Sequence, residues 1–202
     1  MLNRWVIVAA AALAALVGAV GYAQLKPAPT PPLPGAAAKR AWDFNLVAID
    51  GAPLPLARFK GKVVLLVNSA SKCGYTPQYD GLQKIHLRYA PEGFTVLAVP
   101  SGDFLGQEFG NNRDISTFCQ TKFGIKFPMA EKGHVVGPEA LPIYRWAAAE
   151  LGADNTPRWN FHKYLIGRDG RLIRAFATKI EPTAPEVTSA IEAALKAPAP
   201  RG

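Results

Sequence analysis

Two kinds of apolar pattern organise the chain. Compact apolar runs at Phe44–Ile49, Val63–Val67 and Phe94–Pro100 have the length and β-branched content of strands. The second and third are almost free of polar positions, as expected of strands covered on both faces. Between them, Pro77–Tyr89 carries Leu82, Ile85 and Tyr89 at helical spacing. Asn112–Phe123 is similar, with Ile115, Phe118 and Phe123 on one side, and Leu141–Leu151 is a third predicted helix. Tyr164–Ile166 and Leu172–Phe176, joined through the turn Asp169-Gly170, predict a hairpin, and Ala184–Leu195 a closing helix. Strands alternating with helices and ending in a hairpin and a helix define an α/β class: a central mixed sheet flanked by helices on both faces. The domain is expected to cover residues 40–196.

The termini break these patterns. Trp5 to Val20 is unbroken apolar sequence after a single charge, Arg4, and Gly21-Tyr22-Ala23 offers a small-x-small cleavage point. That is the layout of a secretory signal peptide. The stretch is also long enough for an uncleaved membrane anchor, so residues 1–25 are read as signal peptide or anchor. Either role places the domain outside the cytoplasm, in the periplasm or on a membrane facing it. Residues 26–39 hold Pro27, Pro29, Pro31, Pro32 and Pro34, the composition of an extended, semi-rigid linker. Residues 197–202 are expected to form a disordered tail.

Composition narrows the chemistry. The net charge is +8, from 23 basic and 15 acidic residues, but the basic residues are scattered and form no nucleic-acid motif. His86, His134 and His162 lack ligand spacing with one another or with the cysteines, so no metal site and no cofactor is expected. Two cysteines are too few for a disulfide-built scaffold.

Those cysteines are the candidate chemistry. Cys73 follows the buried strand Val63–Val67 and precedes the predicted helix from Pro77. Unpaired N–H groups and the dipole at a helix start favour a thiolate, the reactive form of cysteine. Lys72 is a possible adjacent positive charge, and Thr76 a possible backbone cap. A buried, inert thiol is the alternative. Gln107, in Phe104-Leu105-Gly106-Gln107-Glu108, and the pair Trp159-Asn160 before a strand offer neutral hydrogen-bond donors. Singly, each reads more readily as a loop glutamine, a core aromatic or a turn asparagine.

Together these segments resemble the glutathione peroxidase family. The resemblance rests on Gly61-Lys62-Val63-Val64-Leu65-Leu66-Val67-Asn68-Ser69-Ala70-Ser71-Lys72-Cys73-Gly74-Tyr75-Thr76, on Gly106-Gln107-Glu108 and on Trp159-Asn160-Phe161-His162-Lys163-Tyr164-Leu165. It runs from Trp42-Asp43-Phe44 to the last helix. It implies a thioredoxin-like fold, a peroxidatic cysteine at Cys73, and supporting Gln107, Trp159 and Asn160. The implied activity is reduction of hydrogen peroxide or organic and lipid hydroperoxides through a Cys73 sulfenic acid. Members of the family that use thioredoxin resemble this chain in a second cysteine at the place of Cys119. By that resemblance Cys119 resolves the sulfenic acid as a Cys73–Cys119 disulfide, which a thioredoxin-like donor reduces; glutathione is the other candidate reductant. Since Cys119 falls within a predicted helix, local unwinding is expected during turnover.

The chain also departs from that family. Pro100-Ser101-Gly102-Asp103-Phe104-Leu105 replaces the family's Pro-Cys-Asn-Gln-Phe-Gly, and Asp103 brings a negative charge near the expected thiolate. The Val135–Trp159 segment is short where other members carry an assembly insertion, which implies a monomer. Other functions of a thioredoxin-like fold fit less well. A Cys-x-x-Cys exchanger has Thr76 in place of its second thiol, and a Cys-x-x-x-Cys copper carrier has Pro77. An exported exchange or binding protein with a structural Cys73–Cys119 disulfide stays open.

Overall fold

The computed structural model describes residues 39–198. The expected signal peptide or anchor, nearly all of the linker and the end of the tail lie outside the described residues. The elements are β1 (Asn45–Val47), β2 (Pro53–Pro55), β3 (Val63–Ser69), α1 (Gln78–Tyr89), β4 (Phe94–Pro100), α2 (Asn112–Phe123), α3 (Pro142–Leu151), β5 (Lys163–Ile166), β6 (Leu172–Phe176) and α4 (Pro185–Lys196).

The central sheet has four strands in the order β4-β3-β5-β6. Strands β3 and β4 run parallel, from Val63 opposite Phe94 to Ser69 opposite Pro100. Strand β5 lies antiparallel on the other side of β3, with Val67 opposite Lys163, and β6 pairs antiparallel with β5. The hairpin between β5 and β6 turns through Gly170, whose φ of +80° suits only glycine, and a Cβ there would meet the Trp42 indole nitrogen at 2.7 Å.

The alternation of side chains along β3 explains the helices on both faces. Val63, Leu65 and Val67 join Val96 and Leu165 in one apolar cluster, covered by α1, α4 and the inner side of α2. Val64 and Leu66 face the opposite way, with Leu97, Tyr164 and Ile166, against α3 and the β1–β2 ribbon. Every residue of β3 and β4 is therefore buried. Truncating Leu65, at the centre, is expected to cost about 2–5 kcal/mol.

Three expectations need adjustment. The Phe44–Ile49 strand is only Asn45–Val47 and belongs to a separate antiparallel ribbon with the proline-flanked β2. On α2 the fully buried positions are Ile115 and Cys119, while Phe118 and Phe123 pack half-buried against the same cluster. Helix α1 begins at Gln78, one residue after the expected Pro77, and Cys73 lies in the turns before it.

Candidate active site

The topology brings three distant segments to one edge of the sheet. The parallel strands β3 and β4 end side by side, and the Ser101 N–H donates to the Ser69 carbonyl at 2.9 Å just beyond them. The antiparallel β5 begins at that same edge, opposite Val67. The turn 70–77, the loop 101–111 and the lead-in 159–162 therefore meet there. In open α/β sheets this carboxyl edge, where connections diverge, is the usual place for a site.

Cys73 is a free thiol, only 7% exposed. Its Sγ accepts the Tyr75 N–H at 3.4 Å, while its own N–H donates to Thr76 Oγ1 at 3.0 Å. Thr76 in turn donates its hydroxyl to the Ala70 carbonyl at 2.9 Å, which closes the turn around the thiol. The donor that would support a thiolate is thus a turn N–H; the dipole of α1 acts from further along the chain. Lys72 does not point its charge at the sulfur: its ammonium lies over the Phe109 ring, 4.2 Å from the centroid.

The loop 101–111 is fastened to this turn from both ends of the pair Gln107-Glu108. The Lys72 N–H donates to the Gln107 carbonyl at 2.9 Å. Glu108 Oε1 accepts the Ser71 N–H at 3.2 Å and the Phe109 N–H at 2.8 Å. Burial pushes the Glu108 carboxyl up, against the pull of those bonds and of Lys132. Sequence reasoning passed over Glu108, although it stands beside Gln107 in the same motif.

Gln107 and Asn160 meet directly. Asn160 Nδ2 donates to Gln107 Oε1 at 3.0 Å, leaving the Gln107 amide N–H groups free to donate towards the site. Asn160 is fully buried, its carbonyl receives the Thr178 hydroxyl at 2.7 Å, and its Oδ1 has no partner. The corner itself is tied to β3 by Asn68, a second residue missed from sequence. Asn68 Nδ2 donates to the Trp159 carbonyl at 3.0 Å, and the Asn68 carbonyl accepts the Phe161 N–H at 2.6 Å. The Trp159 ring packs on Phe104 at 5.7 Å and, with Tyr75, Arg158 and Lys179, lines a cleft of about 370 Å³. The structure therefore gathers Cys73, Gln107, Trp159 and Asn160 at one edge, through backbone bonds, the cleft that Trp159 shares with Tyr75, and one amide–amide bond.

Cys119 stands apart from this group. It is a free thiol, fully buried in the last turn of α2, within the same apolar cluster as Cys73. Burial pushes it up to about 11, the nearby Tyr79 hydroxyl opposes the rise, and Glu108 adds to it. In this state Cys119 is a poor nucleophile. Asp103 also differs from expectation. Its carboxylate accepts N–H groups of Val135 at 2.7 Å and Val136 at 3.2 Å and the His134 ring at 2.6 Å. Burial opposes its ionisation, but these partners hold the carboxyl below its usual value. The charge is satisfied by the 134–136 segment.

A sheet of this order, with a thiol held in the turn after its central strand and amides converging beside it, defines a thiol-based redox protein of thioredoxin-like fold. Comparison with known proteins makes the assignment specific. The glutathione peroxidase family profile matches residues 41–148. A glutathione peroxidase of Lactococcus lactis subsp. cremoris is 44% identical over 143 residues, covering 70% of this chain and 91% of the relative. A hydroperoxy fatty acid reductase of Synechocystis sp. is 40% identical over 159 residues, covering 75% and 93%. Among solved structures, Trgpx in its apo form superposes with a TM-score of 0.66 at 34% identity, over 81% of this chain and 100% of the other. A thioredoxin-family thiol:disulfide interchange protein of Chlorobium tepidum gives a TM-score of 0.57 at 17% identity, over 79% and 98%, a likeness of fold alone. The chain belongs to the glutathione peroxidase family, and its activity is that of a thiol peroxidase.

Proposed function

We propose that Cys73 is the peroxidatic thiol, that Gln107, Trp159 and Asn160 serve its transition state, and that Cys119 resolves the product. The observation that carries this reading is the Asn160–Gln107 bond of 3.0 Å beside the Cys73 turn. It joins two loops far apart in sequence and fixes the Gln107 amide beside the turn that holds Cys73.

The Cys73 thiolate attacks the terminal oxygen of a hydroperoxide, the O–O bond breaks, and sulfur takes the oxygen as a sulfenic acid. The alkoxide or hydroxide leaves with a proton. Gln107 and Trp159 N–H groups stabilise charge on that leaving oxygen without titrating near neutral pH. The buried Asn160 acts through Gln107, whose amide oxygen its Nδ2 holds. Cys119 then gives up its proton and attacks the Cys73 sulfur; the S–O bond breaks, the hydroxide leaves as water with that proton, and a disulfide forms. Two thiols of a thioredoxin-like donor reduce it by exchange. Because Cys119 is buried, its segment unwinds first. The cleft beside Trp159, with Tyr75 on its wall, suits the apolar body of an organic or lipid hydroperoxide.

The same reading places the protein outside the cytoplasm as a monomer, exported by residues 1–25 or held by them at a membrane. The apolar Trp5–Val20 run and the proline-rich spacer support this, as does the short Val135–Trp159 segment. Cell fractionation checks the location.

Peroxide consumption with a thioredoxin system, compared among wild type, Cys73→Ser and Cys119→Ser, tests the assignment. The Cys73 variant is expected to be inactive, and the Cys119 variant to oxidise once without turning over. Full activity of Cys73→Ser overturns the reading. Turnover with glutathione alone overturns only the donor.

A further inference from the structure

One buried cation is unused by this mechanism. Lys163, the first residue of β5, has no exposed surface. Its Nζ donates to the carbonyls of Phe161 and Ile180, each at 2.7 Å, and points to that of Thr178 at 3.5 Å. An ammonium has three N–H bonds, and three carbonyls surround this one.

The first of these carbonyls belongs to a strained residue. Phe161 is fully buried with φ of +62°, an uncommon conformation for a bulky side chain. Such strain persists only where the surroundings impose it. Here the Asn68 carbonyl holds the Phe161 N–H and Lys163 holds its carbonyl. The other two carbonyls lie on the segment whose Thr178 hydroxyl holds the Asn160 carbonyl. Both supports of Asn160 thus converge on one ammonium.

We propose that Lys163 is a positioning residue for the peroxidase reaction: its three-carbonyl clamp holds the Trp159–Asn160–Phe161 corner in the geometry that serves Cys73. The proposal rests on the peroxidase reading of Cys73. A neutral amine has two N–H bonds for three acceptors and turns a lone pair to one of them, so the clamp slackens when the proton is lost. Burial pushes the Lys163 ammonium down to about 7, and Glu181 opposes that shift. His162, the neighbouring titratable group, is neutral in this range. The clamp is therefore complete below pH 7 and is lost as the pH rises through it.

The test measures the rate of Cys73 oxidation by hydrogen peroxide in the full chain between pH 5.5 and 9, divided by the Cys73 thiolate fraction titrated separately by ultraviolet absorbance. In the wild type the corrected rate is expected to fall about tenfold across pH 7. Lys163→Met is expected to be about 10–100-fold slower at low pH, with no further fall. Glu181 lies on the surface, so Glu181→Gln leaves the fold intact, and it should move the midpoint to lower pH by roughly half a unit. A corrected wild-type rate that stays flat through pH 7, or a midpoint unmoved by Glu181→Gln, overturns the clamp. So does a folded Lys163→Met that reacts at the wild-type rate. A wild type whose Cys73 does not react with peroxide at any pH overturns the peroxidase reading, and the clamp with it.

Discussion

At the scale of residues, the site is a set of amides locked by other amides. Asn160 is the keystone, because its single side-chain bond reaches Gln107 and its carbonyl receives the Thr178 hydroxyl. Asn160→Ala leaves the Gln107 oxygen without its partner and frees that amide to rotate. The rate of Cys73 oxidation is expected to fall about 10²-fold, the cost of losing one oriented donor. Stability should fall by only about 1–3 kcal/mol, the penalty for the unpaired group. Stopped-flow oxidation and chemical denaturation separate the two effects, and a stability loss with an unchanged rate would remove Asn160 from the mechanism. Glu108 permits a milder change. In Glu108→Gln the side-chain oxygen still accepts the Ser71 and Phe109 N–H groups, but the charge that helps raise Cys119 is gone. The Cys119 thiol should titrate lower than in the wild type, read as faster alkylation at fixed pH under conditions that open the site.

At the scale of elements, the resolving step depends on how easily α2 yields. Cys119 lies in its last turn, which Gly124 closes: the Gly124 N–H donates to the Cys119 and Gln120 carbonyls with the glycine at φ of +59°. No atom would meet a Cβ there, so Gly124→Ala adds backbone strain without a clash. That strain, about 1 kcal/mol, weakens the turn and should speed Cys73–Cys119 disulfide formation about fivefold, with peroxide oxidation unchanged. Quenched samples read by non-reducing mass spectrometry give both rates; an unaltered disulfide rate would mean that unwinding of this turn does not limit resolution. The same elements show what was legible in the sequence. Strands β3 and β4 and helix α1 were readable because burial imposes its period on them. Helix α1 begins one residue later than expected because Pro77 stands as its cap, and the turns around Cys73 are held by Thr76, Glu108 and Gln107 from loops that periodicity does not describe. Strand β2 was hidden by its prolines, which an edge ribbon tolerates. Gln107, Trp159 and Asn160 each looked ordinary alone; only the antiparallel entry of β5 opposite Val67 makes them neighbours. Asn68, Glu108 and Lys163 were missed because their polar groups act on backbone, a role with no spacing signature.

At the scale of the whole molecule, that same inward use of polar groups sets how the fold meets acid. His162 follows the Asn160–Phe161 corner and is buried, with Nε2 unpartnered and its ring 4.7 Å from that of Tyr164. Burial, and then the Lys163 charge, push it down to about 4, against a bond to the Asn155 backbone. In the unfolded chain the imidazole titrates near 6.5. Between these two values the unfolded state binds a proton that the folded state refuses, so stability falls as the pH falls. The contribution is complete above about pH 6.5 and is lost by about pH 4, amounting to about 3 kcal/mol. Two carboxyls act at the lower end of this window and in opposite directions. Asp103, held below its usual value, loses stability only at still lower pH, while Glu108, pushed up, is easier to protonate in the fold and offsets part of the loss. From pH 6.5 to 5 His162 acts together with His86, which burial and then the Lys62 charge also lower. Thermal unfolding there should show a Tm that declines with acid in the wild type and less steeply in His162→Phe, which fills the same space without a titrating group and leaves only the His86 share. Equal slopes in the two proteins would place the acid sensitivity elsewhere. A flatter slope in the variant would show that the corner presenting Asn160 to Cys73 stands on a neutral imidazole on one side and a charged lysine on the other, adjacent in sequence and opposite in what they ask of pH.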